Sequence, residues 1–210
     1  MMSDVSLVWS TPDAEALLTH MARVSNRNAT NEASPKLINY LIKNGHWSPF
    51  EMVNACMEIN TTRDIARQIL RHRSFSFQEF SQRYAEVEWW QISESRLQDT
   101  KNRQNSLPSS DEDLNRWWRE QQIDLWIRAR ATYGEALERN IAKEVARKIL
   151  PEGLTMSRMY MNGTLRSWVH YVDVRCHPST QKEHREVAEK CKHILKENFP
   201  YVFSTISTNV

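Results

Sequence analysis

The segment RHRSFSFQEFSQRY, residues 71–84, decides how the rest of this chain is read. Arg71, His72 and Arg73 stand side by side, and Glu79, Ser81, Gln82 and Arg83 follow closely. Adjacent like charges repel, and exposed ion pairs contribute little to stability. Such a concentration of cations, one carboxylate and small hydroxyls fits a site for a multiply charged phosphate ligand. Just upstream, Thr61-Thr62-Arg63-Asp64 has the form of a helix start, with a threonine cap and an early carboxylate. Ile65, Ile69 and Leu70 follow at helical spacing, and Arg63, Arg67 and Arg71 form a stripe four residues apart. Residues 74–82 lose this period and read as a loop. The Arg-His-Arg triplet then sits at a helix C-terminus, where the helix dipole favours cations. Cations capping a helix end are the alternative for the triplet alone; the downstream Glu-x-Ser-x-Arg-Tyr pattern favours the ligand site.

Composition narrows the setting. A length of 210 residues suits one domain with a real core. A formal net charge of +2 gives no general basic field for nucleic acid. Cys56, Cys176 and Cys191 lie far apart without CxxC spacing, which argues for reduced thiols in a cytoplasmic setting and against a zinc framework. The N-terminal residues lack the pattern of a secretion signal, and no apolar run approaches the ~20 residues that span a bilayer. Four glycines leave no room for a GxGxxG or P-loop cradle. A bound dinucleotide would therefore be held by side chains and helix ends.

Along the chain, residues 5–9 read as a strand and residues 12–24 as a helix opened by Thr11. A second helix over 34–44 has Ser34 as cap, Pro35 in its first turn and Gly45 as its stop. Residues 46–51, HWSPFE, read as a proline-directed turn. Val53, Ala55, Met57 and Ile59 alternate with polar neighbours as a half-buried strand. Residues 85–110 form a long polar loop, a candidate lid, in which the Trp89-Trp90 pair either covers a planar ligand or packs on the core. Residues 111–139 read as a long helix with Leu114, Trp117, Trp118, Gln121, Leu125 and Ile127 on a broad apolar face, and Gly134 as a candidate interruption. A helix over 140–150 stops at Pro151. A strand over 154–161 meets a turn at Asn162-Gly163, and Thr164 caps a helix over 165–175. On that helix Arg166 and His170 share a face, with Arg175 close to it. A final amphipathic helix covers 179–198, with Val187, Ala188, Cys191, Ile194 and Leu195 inward.

The polar positions of residues 71–84 resemble the signature of the flavin-dependent thymidylate synthases. That signature runs Arg-His-Arg, two residues, Ser, one residue, Asn-Glu, one residue, Ser, one residue, Arg-Tyr. Arg71, His72, Arg73, Ser76, Glu79, Ser81, Arg83 and Tyr84 match it, and Gln78 stands where Asn is common. Ala22-Arg23-Val24-Ser25, the 46–51 run, Arg147 with Leu150-Pro151, and the Arg166–Arg175 helix resemble further family segments. Together they span most of residues 20–200 in order. The resemblance implies an α+β fold with a largely antiparallel sheet flanked by helices. It implies reductive methylation of dUMP to dTMP, with methylenetetrahydrofolate as carbon donor, FAD as cofactor and NADPH as reductant. It implies a homotetramer with sites shared between subunits. No metal ligand set is read from the sequence. By resemblance dUMP meets Gln68, Arg71, Glu79, Ser81, Gln82, Arg83, Arg147 and Arg175; its phosphate lies on Arg83 and Arg147, helped by Ser81, Gln82 and Gln68. By resemblance FAD meets Ser25, His46, Ser48, Arg71, His72, Arg73, Glu79, Thr164, Arg166 and His170.

The chemistry agrees with this. Uracil C5 is a weak nucleophile, and one way to activate it is a cysteine adding at C6. None of the three cysteines has the cationic setting that lowers a thiol's pKa, though Cys176 follows Arg175. The other way is to polarise the ring. Arginine stays charged and stabilises negative charge developing on the N3/O4 edge. Position in the motif selects Arg175 as that catalytic group. Two rival readings stand beside this one. The first is a nucleic-acid binding module using Arg63, Arg67, Arg71 and Arg73 as a phosphate stripe. The second is a flavoprotein that oxidises NADPH without synthase activity.

Overall fold

The computed structural model describes residues 3–25 and 32–206. Four strands, all antiparallel, form the sheet in the order β1-β2-β6-β3. β1 is Asp4–Ser10, β2 is Asn54–Thr62, β3 is Ser76–Glu79 and β6 is Met156–Thr164. A two-stranded ribbon of β4 (Arg96–Gln98) and β5 (Ser106–Pro108) stands apart from it. The helices are α1 (Ala14–Ala22), α2 (Pro35–Lys43), α3 (Arg63–Ile69), α4 (Glu112–Glu138), α5 (Lys143–Ala146), α6 (Leu165–Arg175), α7 (Lys182–Asn198) and α8 (Pro200–Ile206). The expected α+β class with a mostly antiparallel sheet is what the chain adopts. Among the described residues no helix is long and apolar enough to cross a membrane.

The core follows from the alternation in β2. Ala55, Met57 and Ile59 are fully buried and meet Phe50, Val53, Met159 and Met161. Trp168 and Tyr171 of α6, Val187, Cys191 and Leu195 of α7, and Val202 and Phe203 of α8 complete the same cluster. α2 begins and ends as its sequence predicts: Ser34 Oγ accepts from Leu37 N–H, and Gly45 takes φ +67° just past the helix.

Several expectations are corrected. Residues 74–82 are not all loop, because β3 pairs Ser76 through Glu79 with Asn162 through Met159. Its four residues are too short to show a period of two. Asn162-Gly163 is not a turn but the last part of β6, opposite Cys56 and Ala55. Gly163 is there for lack of a side chain: a Cβ would lie 2.4 Å from Cδ1 of Phe75. α1 starts at Ala14 after Asp13 in a left-handed conformation, and the Thr11 hydroxyl instead accepts from Asn54 N–H. Thr62 stands at the cap of α3 but makes no capping bond; its hydroxyl turns to the Asp64 carboxylate. The 140–150 helix is broken. Asn140 takes φ 62°, and only α5 and a following 3-10 turn, Arg147–Ile149, are helical. α4 runs through Gly134 uninterrupted. α8 was not foreseen.

The broad apolar face of α4 is also reassigned. Its buried residues are Gln122, Trp126 and Tyr133, while Trp117, Leu125 and Ile127 are more than half exposed. Trp126 stacks on Trp90 with ring centroids 5.5 Å apart, inside a small second core with Val87 and Leu154. The Gln122 carboxamide closes a pair of hydrogen bonds on the Ser93 backbone, at 2.8 and 2.9 Å. Residues 85–110 are therefore tied down by α4. Of the tryptophan pair, Trp90 packs, and Trp89 stays exposed under the Arg158 guanidinium.

Phe75 is the plug that fixes the 71–84 segment. It is buried against Trp168 at 4.8 Å and Tyr171 at 5.9 Å, and Ser167 Oγ donates to the Ser74 carbonyl at 3.1 Å. Gly163→Ala should destabilise the protein by about 2 kcal/mol through overpacking. Urea unfolding measures this, and Phe75→Leu in the same chain should recover part of the loss; an unchanged midpoint in Gly163→Ala would refute the close packing.

Candidate active site

Three patches gather the predicted residues. The first lies where the 3-10 turn Ser48–Glu51 meets the start of α6. Thr164 caps α6 by accepting from Ser167 N–H, and its hydroxyl donates to Glu51 at 2.7 Å. Arg166 pairs with the same carboxylate at 2.8 Å. Glu51 is held below the usual carboxylate range, first by the Thr164 hydroxyl and then by Arg166. Trp47 packs on His170 at 5.2 Å, and Tyr40 packs edge-on to His46 at 5.8 Å. His46, Ser48, Arg166 and His170 are exposed. Ser25 lies in the exposed turn after α1, with no hydrogen bond to the other site residues among the described residues.

The second patch surrounds the end of β3. Glu79 accepts from Ser157 at 2.8 Å and pairs with Arg63 at 3.6 Å and Arg67 at 3.5 Å. Beside it a cavity of about 200 Å³ is lined by Arg63, Arg67, Gln82, Arg147, Lys148, Leu150, Glu152 and Thr155. Four cations stand there against two carboxylates, Glu79 and Glu152, and Arg67 pairs with Glu152 at 3.2 Å. Gln82 is 3% exposed, and its Nε2 has no hydrogen-bond partner. A buried donor left unmade is destabilising, so it marks a place where an acceptor belongs. Ser81 closes the turn into this patch, and Arg83 pairs with Glu144 of α5 at 3.0 Å, one turn before Arg147.

The third patch joins the end of α3 to the end of α6. The chain leaves α3 through a turn, His72 N–H to Ile69 carbonyl at 3.0 Å, which carries His72 inward. Arg175 Nε donates to His72 Nε2 at 2.8 Å. That bond requires a neutral imidazole, and burial together with the Arg175 charge pushes His72 down to about 4. His184, fully buried, lies 6.3 Å from His72 and is pushed down to about 3 by burial and then by Arg175. Gln68 contacts His184 and Gln181 here, so it stands on the Arg175 side and does not line the Arg147 cavity. Arg71 and Arg73 are exposed and make no ion pair with any described residue. Unpaired guanidiniums beside a patch of ring surfaces suit a flavin with its phosphates, so the residues present fit that cofactor.

The thiols are held away from the reactive thiolate form. Burial pushes Cys176 up to about 11 and raises Cys56 and Cys191 as well. Residues that the sequence did not assign are Glu51, Trp47, Lys148 and His184. Glu51 closes the quoted 46–51 run, but its partners Thr164 and Arg166 lie more than a hundred residues away. His184 looked like one more polar residue at a helix start.

The fold is an antiparallel α+β one that brings arginines from separate segments together, with no glycine cradle and no thiol of lowered pKa among the described residues. Residues 6–201 match the family model described as thymidylate synthase complementing protein. A flavin-dependent thymidylate synthase of Synechocystis is 50% identical over 91% of this chain and 89% of its own length. A probable flavin-dependent thymidylate synthase of Paramecium bursaria Chlorella virus 1 is 46% identical over 90% and 88%. The crystal structure of the UMP/dUMP methylase PolB from Streptomyces cacaoi, bound with 5-Br dUMP, superposes with a TM-score of 0.87 at 26% identity, covering 98% of this chain and 95% of that one. The chain belongs to the flavin-dependent thymidylate synthase family.

The neutral imidazoles give a pH signature. His72 and His184 take a proton near pH 6.5 when unfolded but resist it in the fold, so stability should fall as pH drops from about 6.5 towards 4. The buried carboxyls of Glu15 and Asp64, raised by burial, act in the opposite sense. Melting temperature measured from pH 7.5 to 5 should decline less steeply in His184→Leu than in the parent, and equal slopes would remove His184 as a source.

Proposed function

We propose that the chain converts dUMP to dTMP by reductive methylation, with methylenetetrahydrofolate as carbon donor and NADPH as reductant. The observation that carries the substrate half of this reading is the orphan Gln82 donor in a cavity lined by Arg63, Arg67, Arg147 and Lys148. A nucleotide phosphate supplies the acceptor that Gln82 lacks and the charge that the cations lack. Arg83 and Ser81 lie at the mouth of this cavity in our reading, and Glu79 holds Arg63 and Arg67 in place beside it. The pyrimidine then extends towards Gln68 and Arg175. The Arg175 guanidinium stabilises negative charge on the uracil N3/O4 edge, which makes C5 nucleophilic without a thiol. His72, neutral, accepts from Arg175 Nε and so anchors the guanidinium by one N–H, leaving the others for the pyrimidine.

FAD would be held by Arg71, Arg73, His72, Ser48, His46, Arg166 and His170, with Thr164 and Glu51 fixing Arg166, and Ser25 and Glu79 at its margins. Reduced flavin supplies the hydride in this chemistry. The chain's own part is to orient the two rings and keep water out. Residues 85–110 serve as the cover of the site. We place the protein in the cytoplasm and read it as a homotetramer whose sites are completed between subunits. α4 exposes Trp117, Leu125 and Ile127 on more than one of its sides, large apolar surface that neighbouring subunits of such an assembly would cover. Neither a nucleic-acid module nor an oxidase lacking synthase activity finds support among the relatives.

The purified protein should be yellow, bleach with NADPH, and release tritium from C5-labelled dUMP only when methylenetetrahydrofolate is present. A colourless protein that FAD does not reconstitute would defeat the proposal. Arg175→Ala should abolish turnover with flavin absorbance retained; retained turnover would discard Arg175 as the activating group. Arg83→Ala and Arg147→Ala should each raise KM for dUMP about tenfold or more, the scale of losing a charge-assisted contact. Unchanged KM values would undo the phosphate assignment.

A further inference from the structure

The Gln68 carboxamide is gripped from two sides. Its Oε1 lies 3.3 Å from His184 Nδ1, and its Nε2 donates to Gln181 Oε1 at 2.7 Å. A carboxamide oxygen only accepts, so His184 Nδ1 carries the proton and His184 Nε2 is a bare acceptor. That Nε2 is buried with no partner, in a residue that is 0% exposed. A leucine there would fill similar space and leave no acceptor unpaired. Packing therefore does not account for a histidine at this place in α7, and the Nδ1–H does. The other grip is anchored too. Gln181 Nε2 donates to Glu183 at 3.1 Å, and Glu183 pairs with Arg96 at 2.7 Å.

We propose that His184 is a positioning residue for substrate: its Nδ1–H sets which way the Gln68 carboxamide faces, so that Gln68 reads the pyrimidine edge of the nucleotide. The proposal rests on the reading above that dUMP lies against Gln68 and Arg175. With one hydrogen bond made at each end, Gln68 keeps one free lone pair on Oε1 and one free N–H on Nε2. These stand side by side as acceptor and donor. Uracil presents a matching N3–H donor beside a carbonyl acceptor. A flipped carboxamide would set donor against donor and acceptor against acceptor. Burial and the Arg175 charge keep His184 neutral, so the grip holds across the working pH range. His184 sits 5.9 Å from the Tyr171 ring, which limits its rotation.

The test measures dUMP binding to the FAD-loaded enzyme by calorimetry, and kcat and KM by tritium release. His184→Leu removes the donor, and His184→Asn keeps an amide N–H at the Nδ1 position. His184→Leu should weaken dUMP binding about tenfold, with kcat at saturating dUMP within about threefold of the parent. His184→Asn should bind within about threefold of the parent. Added to Gln68→Ala, His184→Leu should cost nothing more, because its effect runs through Gln68. Should His184→Leu not fold, His184→Gln, whose amide lies one bond further out, supplies the contrast with Asn. Unchanged binding in His184→Leu, or in Gln where Leu does not fold, overturns the proposal if Gln68→Ala still loses affinity. So does a loss fully additive to that of Gln68→Ala, which would mark a merely structural role. Unchanged binding in Gln68→Ala would instead remove Gln68 from the substrate site, and the proposal with it.

Discussion

The close approach of Phe75 to Gly163 is the contact on which the rest of the site depends. The 71–84 segment carries charges that have no reason to stay together in water. Phe75 gives it a hold: one aromatic ring inserted between β6 and α6, against Trp168 and Tyr171. The ring fits because the strand opposite it has no side chain at residue 163. Once it is seated, His72 falls within reach of Arg175, and β3 can pair with β6 and carry Glu79 to Ser157. A buried apolar anchor thus organises polar residues that would otherwise repel.

The second organising feature is neutrality beside charge. Two imidazoles lie close to Arg175, and both are kept unprotonated by burial and by that guanidinium. A protonated histidine in either position would oppose the arginine across a few ångströms of low-dielectric interior. Kept neutral, His72 accepts a hydrogen bond and fixes the arginine. The thiols are switched off by the same burial, which raises their pKa values. The interior that disables cysteine chemistry is the one that strengthens a fixed guanidinium.

Carboxylates hold the basic patches in register. Glu51 ties Thr164 to Arg166, and Glu79 ties Arg63 to Arg67. Glu51 places one cation and a hydroxyl, and Glu79 places two cations. α3 links two patches, because Arg63 and Arg67 leave it on one side and Gln68 on another. The orientation of one short helix therefore sets the separation between the cationic cavity and Arg175.

Much was legible in the sequence. The alternation of β2, the Ser34-Pro35 start of α2, the Thr164 cap and the spacing of the 71–84 segment each express local rules, and the structure obeys them. Those rules act within a turn of helix or a few strand residues, so the nearby sequence carries them in full. The tertiary structure decided the rest, wherever a residue answers to a distant partner. Gly163 reads as a turn until Phe75 arrives from 88 positions earlier to need its missing side chain. β3 is too short to declare itself and becomes a strand only because β6 offers it hydrogen bonds. Glu51 and His184 gain their roles from partners more than a hundred residues away, and no local pattern encodes such a meeting. Packing alone brings them together, because only a folded core fixes which side chains share a dry space.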